Sequence, residues 1–375
     1  MYKIPIAFIC EIDNPFDINS LEYSGLGGSE TWILNMAFNL CQMDYHVIIF
    51  NQNNYTCYNL NGIEILPISE LELISTYITF EHVFINRYFD PNIINIFKEN
   101  NNCNNLYFVL HDIRLWKANG EYIFNDLNNC LKYEDIENDL WLKSHIKKIF
   151  MMSKWHRDFN NDCEYPEKLV EIIGNGINIP TLDNSIKRDN NIFWSSCLER
   201  GFDDILINKI MPLVHQKNPN IKLYVSSYNP LPEAKYDNLE YVIPLGSLTK
   251  EQLYKEMQKH MISFLPLTHW ETFCITSIEA ISNNMELVCP FKYGLQTIFE
   301  YFEDLFIQDG DYENQEYCEY VANEIVNKID NYYSKDSIIR RNILYKYVID
   351  NYSWEHISKK LYNIISKYEK SNCNS

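Results

Sequence analysis

The residues best equipped for chemistry stand together in Thr268-His269-Trp270-Glu271-Thr272-Phe273-Cys274-Ile275-Thr276-Ser277-Ile278-Glu279-Ala280. Seven residues separate the two carboxylates, Glu271 and Glu279. The apolar run Ile262 to Leu267 in front of them reads as a buried parallel strand. Behind it, Ile275, Ile278 and Ile281 fall at helical spacing, and Thr276 and Glu279, three apart, share one face of that helix. Glu271 is therefore expected in the strand-to-helix turn, and Glu279 about one turn into the helix. The first N–H groups of such a helix, from Cys274 to Ser277, lack intrahelical acceptors and seat an anion such as phosphate. A carboxylate on each side of that seat can hold hydroxyls at the two ends of a sugar nucleotide. Ordinary capping, with Thr and Ser at the start and Glu in the first turns, uses the same residues. Spacing alone leaves both readings open.

Bulk properties narrow the classes. The 375 residues are enough for two domains, and 46% hydrophobic residues, including 28 tyrosines and 20 phenylalanines, are ample for packed cores. With 32 basic against 51 acidic residues, the formal charge of −19 speaks against nucleic acid or an anionic membrane as a bulk electrostatic partner. The 11 cysteines are scattered, with no C-x-x-C pair and no His/Cys cluster at metal spacing. That points to reduced thiols in a cytoplasmic setting rather than a disulfide frame or structural zinc. Cys10, Cys41, Cys197 and Cys289 lie in apolar stretches and are expected to be buried. The first strand runs into Glu11, Asp13 and Asp17, unlike a signal peptide, and no apolar run reaches the length of a transmembrane helix.

The elements that must position these residues can be followed from the N-terminus. Ile4 to Cys10 is a strand, and a loop ending in Gly25-Leu26-Gly27-Gly28-Ser29-Glu30 leads to a helix with Trp32, Ile33, Met36, Ala37, Leu40 and Cys41 on one face. Strand, glycine turn and helix is a geometry in which backbone approaches a ligand closely; a plain tight turn explains the glycines equally well. Strands follow at His46–Phe50, Gly62–Ile68, His82–Asn86 and Leu106–Leu110, the last running into His111-Asp112. Open α/β sheets bind ligands beyond the carboxyl ends of strands, which is where His111 falls. Ile149–Ser153 and Val170–Ile173 are two more strands, the second running into Gly174-Asn175-Gly176-Ile177-Asn178. Polar Pro180–Asn191 reads as a linker. The pattern then restarts with a strand at Ile192–Ser196 that opens into Cys197-Leu198-Glu199-Arg200-Gly201-Phe202 and a helix to about Gln216. Strands at 222–228, 241–245 and 287–290 flank the central stretch, and beyond Phe306 the chain is mostly helical, with a last amphipathic helix opening at Asn351-Tyr352-Ser353-Trp354. Strands alternating with helices specify an α/β, doubly wound parallel sheet, built twice.

Set in this order, the motifs resemble the retaining glycosyltransferases of family 4. Gly27-Gly28-Ser29-Glu30 is similar to their N-terminal glycine loop, and Leu110-His111-Asp112 to the motif with their active-site histidine. Gly174-Asn175-Gly176-Ile177-Asn178 resembles the segment that closes their N-terminal domain. Ser195-Ser196 through Arg200-Gly201 is similar to their phosphate-binding turn, Glu271 and Glu279 to their EX7E pair, and Tyr352-Ser353-Trp354 to the start of their C-terminal helix. The resemblance implies a GT-B fold of two facing Rossmann-like domains around a deep cleft, with a C-terminal helix crossing back. Here these would be residues 1–180 on the acceptor side, 181–350 for the nucleotide sugar, and 351–375 for the crossover helix and tail.

It also implies roles. Glu279 would hold the donor ribose, Glu271 the hydroxyls of the transferred sugar, and Arg200 the diphosphate, assisted by the N–H groups of Cys274, Ile275 and Thr276. Gly27 and Gly28 would let backbone approach the diphosphate or the acceptor, Gly176 would belong to the donor-binding set with them, and His111 would face the donor sugar across the cleft. No metal or other cofactor is implied beyond a UDP- or GDP-linked sugar, and the acceptor, whether glycan, lipid or protein, stays open. Three departures from the family stand out: Cys274 replaces a common Gly, the usual second basic residue after Arg200 is absent (Lys292 or Arg114 being the substitutes at hand), and Phe291-Lys292-Tyr293-Gly294-Leu295 replaces a glycine-rich loop. Competing readings are a catalytically silent sugar-nucleotide-binding scaffold and a sugar-nucleotide epimerase on a related fold. A Rossmann oxidoreductase would need a dinucleotide fingerprint that the chain lacks.

Overall fold

A computed structural model describes residues 3–11, 15–20, 26–58, 62–118, 129–183, 185–227, 236 and 238–369. The chain divides into two compact units. Among the described residues, the first comprises those up to Ser20, Leu26–Gly176 and the segment from Trp354 onward, and the second those from Ile177 to Ser353.

The first unit holds strands β1 (Ile4–Cys10), β2 (Tyr45–Asn51), β3 (Cys57–Tyr58), β4 (Ile63–Pro67), β5 (Phe80–Asn86), β6 (Tyr88–Phe89), β7 (Cys103–Val109), β8 (Trp116–Lys117), β9 (Ile146–Met151) and β10 (Val170–Ile172). Eight of them form one sheet in the order β10-β9-β7-β5-β1-β2-β4-β3, while β6 and β8 pair separately. Pairing is parallel throughout the sheet except for the two-residue edge strand β3. Such strands are covered on both faces and read as continuous apolar runs: Ile6 to Cys10 and Val47 to Phe50 are all essentially inaccessible. On one face the core gathers Ile9, Phe50, Phe80, Phe97 and Phe108. Winding reverses at the middle, because β2 lies on one side of β1 and β5 on the other.

The second unit repeats the plan with β11 (Asp189–Trp194), β12 (Leu223–Ser226), β13 (Val242–Gly246), β14 (His260–Phe264) and β15 (Glu286–Val288), all parallel, in the order β13-β12-β11-β14-β15. Here β11 is the central strand and the reversal lies between β11 and β14. The polar linker is shorter than its composition suggests, since β11 begins at Asp189. The helix expected up to Gln216 is three pieces: a 3₁₀ turn Leu198–Arg200, a π-helix Phe202–Ile210, and an α-helix Met211–Lys217. In the π segment Leu206 N–H reaches back five residues to the Gly201 carbonyl, a widening that marks strain or function more often than chance.

Burial of the cysteines is as expected for Cys10, Cys41 and Cys289. Cys197 is the exception: it lies in the turn after β11, is only half-buried, and donates to the Glu199 carboxylate.

The C-terminal helix Trp354–Ile365 belongs to the first unit and buries Trp354, Ile357, Leu361, Ile364 and Ile365 along one stripe. Its anchor is Trp354 against Gly176. A Cβ on Gly176 would stand 2.6 Å from Trp354 Cε3 and 3.0 Å from its Cα. Lys360 Nζ adds a bond to the Ile172 carbonyl at 2.5 Å. Gly176→Ala should therefore destabilise the first unit through overpacking, by about 1–3 kcal/mol. A urea denaturation midpoint equal to that of the wild type would refute this.

Candidate functional site

In the second unit the candidate side chains arise from the ends of the strands that flank the winding reversal. After β11 the chain turns through Leu198–Arg200 into Gly201, which takes φ +96, a left-handed conformation open to glycine. After β14 it passes Leu265 to Thr268 and reaches Glu271 just ahead of the helix Ile275–Ser282. Because β11 and β14 are register partners, with Ile192 opposite Ile262 and Phe193 opposite Ser263, the two loops emerge side by side. Arg200 Nη1 accordingly forms an ion pair with Glu271 Oε2. The carboxylate is mostly covered and the guanidinium half-exposed.

Glu279 lies in the middle of the helix Ile275–Ser282 and is 5% exposed. Its Oε1 accepts from Lys250 Nζ at 2.6 Å and from the Tyr254 hydroxyl at 3.2 Å. Lys250 and Tyr254 both sit on the helix Lys250–Met257, which Thr249 caps with the reciprocal Thr249–Gln252 box. Each carboxylate of the motif thus meets a cation from a different element: Arg200 for Glu271, Lys250 for Glu279. Lys250 and Tyr254 escaped the sequence reading, since Lys250 lies 29 residues from Glu279 and no local signal joins them.

The helix start itself is strained. Cys274 precedes Ile275 at φ +72, ψ +69, a left-handed conformation that costs a side-chain-bearing residue about 1–2 kcal/mol. This is the physical reason a glycine suits the position. The Cys274 thiol is buried and pushed up to about 12, by desolvation first and by the Glu271 charge second. Its carbonyl accepts from Ser277 N–H at 3.1 Å and Ser277 Oγ at 2.7 Å, while Ile275 and Thr276 are half-buried. The loop after β15 closes on the same turn: Gly294 N–H donates to the Glu271 carbonyl at 2.9 Å, and a Cβ on Gly294 would meet the Thr272 carbonyl at 2.6 Å. Neither Lys292 nor Arg114 joins this group. Lys292 pairs with Asp309 at 2.8 Å, and Arg114 lies in the first unit, bonded to Asp162.

In the first unit the candidate residues again cluster at carboxyl strand ends. Gly27 caps the helix Gly28–Gln42, and a Cβ there would lie 2.5 Å from Glu30 Oε2. That carboxylate accepts from Ser29 Oγ at 2.9 Å. Trp32 joins three predicted motifs: its Nε1 donates to the Gly174 carbonyl at 3.2 Å, and its ring meets the His111 imidazole edge-on at 5.4 Å. His111 Nε2 lies 3.4 Å from Asn86 Oδ1. Burial, then the nearby Arg87 charge, push the imidazole down to about 3, so it is neutral near pH 7. Gly176 stands apart from this cluster, against Trp354.

Two features here were missed in the sequence. Arg87, at φ +69 directly after β5, holds Asp112 with both ends of its guanidinium, at 2.9 and 3.1 Å. Glu11, directly after β1, is pushed up to about 7 by burial and by the neighbouring Asp90. The rule that picked His111, a polar residue at a strand's carboxyl end, points to both.

No protein-family model matches the chain, and no curated protein matches its sequence. Solved structures do match its fold. A sucrose-phosphate synthase from Thermosynechococcus elongatus superposes with a TM-score of 0.70 at 11% identity, over 97% of this chain and 99% of that one. A glycosyltransferase from Rickettsia africae gives 0.72 at 14% identity, over 99% and 100%. The Anabaena protein Alr3699/HepE, solved in complex with UDP, gives 0.68 at 12% identity, over 97% and 100%. The chain has the two-unit GT-B fold of these glycosyltransferases.

The histidines set a pH response. His82, His111 and His156 are pushed down to about 3 and His260 to about 4, each by burial first. All four stay neutral when folded but take up protons near pH 6.5 when unfolded. Their contribution to stability is complete above that pH and is lost as pH falls toward about 4 for His260 and about 3 for the other three. Glu11 acts in the opposite sense between about pH 7 and 4.5, as a single group against four. The melting temperature should therefore fall steadily from about pH 7 to pH 4.5, and His82→Gln should flatten the slope. A flat profile in the wild type would contradict this account.

Proposed function

We propose that a chain with this fold and these paired charges is a retaining, metal-independent glycosyltransferase that moves a sugar from a nucleoside-diphosphate sugar to an acceptor hydroxyl. The observation that carries the proposal is the arrangement in the second unit: Arg200 on Glu271 beside the winding reversal, with Glu279 on the helix that begins at the same turn. Glu279, positioned by Lys250 and Tyr254, binds the ribose hydroxyls. Arg200, with the N–H groups of Cys274, Ile275 and Thr276, takes the diphosphate, where a planar guanidinium suits phosphate oxygens. As Arg200 turns to the phosphates, Glu271 gains acceptor capacity for hydroxyls of the transferred sugar. In the first unit, Gly27 and Gly28 let backbone approach the diphosphate or the acceptor and neutral His111 offers a hydrogen-bonding group, whereas Gly176, packed against Trp354, has a structural part.

Bond cleavage leaves negative charge on the departing nucleoside diphosphate. Fixed positive charge and aligned N–H dipoles aimed at that charge are the main catalytic resource of such a site, and Arg200 supplies the cation that a divalent metal supplies elsewhere. UDP is favoured over GDP as the carrier because Alr3699/HepE, of the same fold, was solved with UDP and with UDP-glucose.

Calorimetry and thermal shift with UDP, GDP, ADP and NAD, all in EDTA, test the reading. UDP or GDP should raise the melting temperature, by mass action equivalent to about 2.7 kcal/mol at a hundredfold excess over Kd. Glu279→Ala should weaken that binding about tenfold, the loss of roughly one good hydrogen-bonding contact to a charged group. Arg200→Ala should lower turnover of donor about a hundredfold or more with a smaller effect on binding. Unchanged UDP affinity in Glu279→Ala removes the ribose assignment, and a response to NAD alone overturns the transferase. Nucleotide binding with neither transfer nor donor hydrolysis selects the silent scaffold.

A further inference from the structure

Cys130 and Cys163 take no part in the chemistry above. Their Sγ atoms lie 3.7 Å apart, and each residue is 1% exposed. Cys130 is held by an antiparallel bridge to Trp116, in β8, on the stretch that runs on from His111. Cys163 closes the 3₁₀ turn Asn161–Cys163 behind the helix Lys154–Phe159. Tyr88, Trp116 and Tyr165 pack around the pair. A disulfide is about 2.05 Å long, so the two sulfurs need approach by only about 1.7 Å to join.

Two cysteines used as small core hydrophobes need no charge beside them. This pair has one. Arg114 Nη1 donates to Cys163 Sγ at 3.1 Å and to Asn160 Oδ1 at 3.3 Å, while Nη2 donates to Asp162 Oδ2 at 3.0 Å. The guanidinium also lies over the Phe159 ring, 4.9 Å from its centre, so its position is fixed from three sides. A cation held against sulfur stabilises the thiolate, the reactive form. Cys163 is accordingly pushed down to about 7, by the hydrogen bond from Cys130 first and helped by Arg114, with burial working against it. Cys130 is pushed the other way, through the same hydrogen bond and burial. The two thiols are unequal: one suited to attack, the other to resolve.

We propose that Cys130 and Cys163 form a reversible dithiol–disulfide site, oxidised by hydroperoxide, with Cys163 as the attacking sulfur and Cys130 as the resolving one. The Cys163 thiolate attacks one peroxide oxygen; the O–O bond breaks, and the departing hydroxide takes a proton to leave as water. Cys163 is then a sulfenic acid. Cys130 sulfur attacks it, the S–O bond breaks, and the hydroxide released takes the Cys130 proton as a second water. Two thiols have lost two electrons in all and the peroxide has gained them. In a reducing compartment such a bond is transient and is reversed by thiol exchange. Closing it removes the anionic sulfur from Arg114, three residues beyond His111, which links the redox state of the pair to the stretch that carries the candidate histidine.

The test uses the full, reduced chain. It is treated with hydrogen peroxide, quenched with N-ethylmaleimide in denaturant, digested and mapped by mass spectrometry. A cross-linked Cys130–Cys163 peptide pair is expected, with loss of maleimide from both residues and full recovery after dithiothreitol. In Cys130→Ser, Cys163 should instead be trapped by dimedone as a sulfenic acid. Maleimide retained on both residues at a peroxide dose that oxidises the half-exposed Cys197 would overturn the proposal. So would the joining of either cysteine to a different partner. The mapping of the unmodified chain decides the matter without any variant, and it is independent of whether the transferase reading holds.

Discussion

Everything functional in each unit depends on where a parallel sheet reverses its winding. Parallel strands are covered by helices on both faces, so their loops can meet a ligand only at strand ends. When successive strands are added first to one side and then to the other, the carboxyl ends of the two neighbouring strands at the reversal border a crevice. In the second unit those strands are β11 and β14, and their loops deliver Arg200 and Glu271 to the same place. In the first unit they are β1 and β5, which end beside Glu11 and Arg87. The apolar strands contribute no chemistry themselves. They fix the positions of residues that do, and the inaccessible cores behind them make those positions rigid.

On that frame the charges of the second unit are arranged for exchange. Glu271 and Glu279 are each matched by a basic residue from another element, so neither buried carboxylate is left uncompensated. Removing one member of such a pair is costly because the other charge remains buried without a partner. In the proposed reading, a ligand that carries its own negative charge and its own hydroxyls would take over both halves, the cation pairing with phosphate and the carboxylate accepting from hydroxyl. Arg200 is half-exposed, whereas Lys250 packs near the ring of Tyr254.

Backbone strain collects at the same turn. Leu267 at φ +48, Cys274 at φ +72 and Tyr293 at φ +56 all carry side chains in the left-handed region. Two of these lie where the chain departs from the glycines common in the resembling family, at Cys274 and in the loop Phe291–Leu295. Side chains here occupy a backbone region that suits glycine, so packing around the turn bears the strain. Strain that persists in a surrounding structure rigid enough to hold it is characteristic of functional turns.

The sequence alone determined what local physics determines. Apolar runs announced the principal strands, because a strand buried on both faces must be apolar throughout. The alternation of strand and helix announced two doubly wound units, and the spacing of Glu271 and Glu279 placed one in a turn and the other on a helix. It could not announce the two-residue strands β3, β6 and β8, which are too short to carry a period, nor the π-helix at Phe202–Ile210, whose residues suit an α-helix as well. It was equally silent on the pairing of Lys250 with Glu279, of Arg87 with Asp112, and of Cys130 with Cys163. Those partners lie 29, 25 and 33 residues apart and are joined only because parallel strands or their connecting segments end side by side. Periodicity and capping act over a few residues and are legible in the chain; which distant side chains share a charge or a proton is decided by strand order, and strand order exists only in the folded sheet.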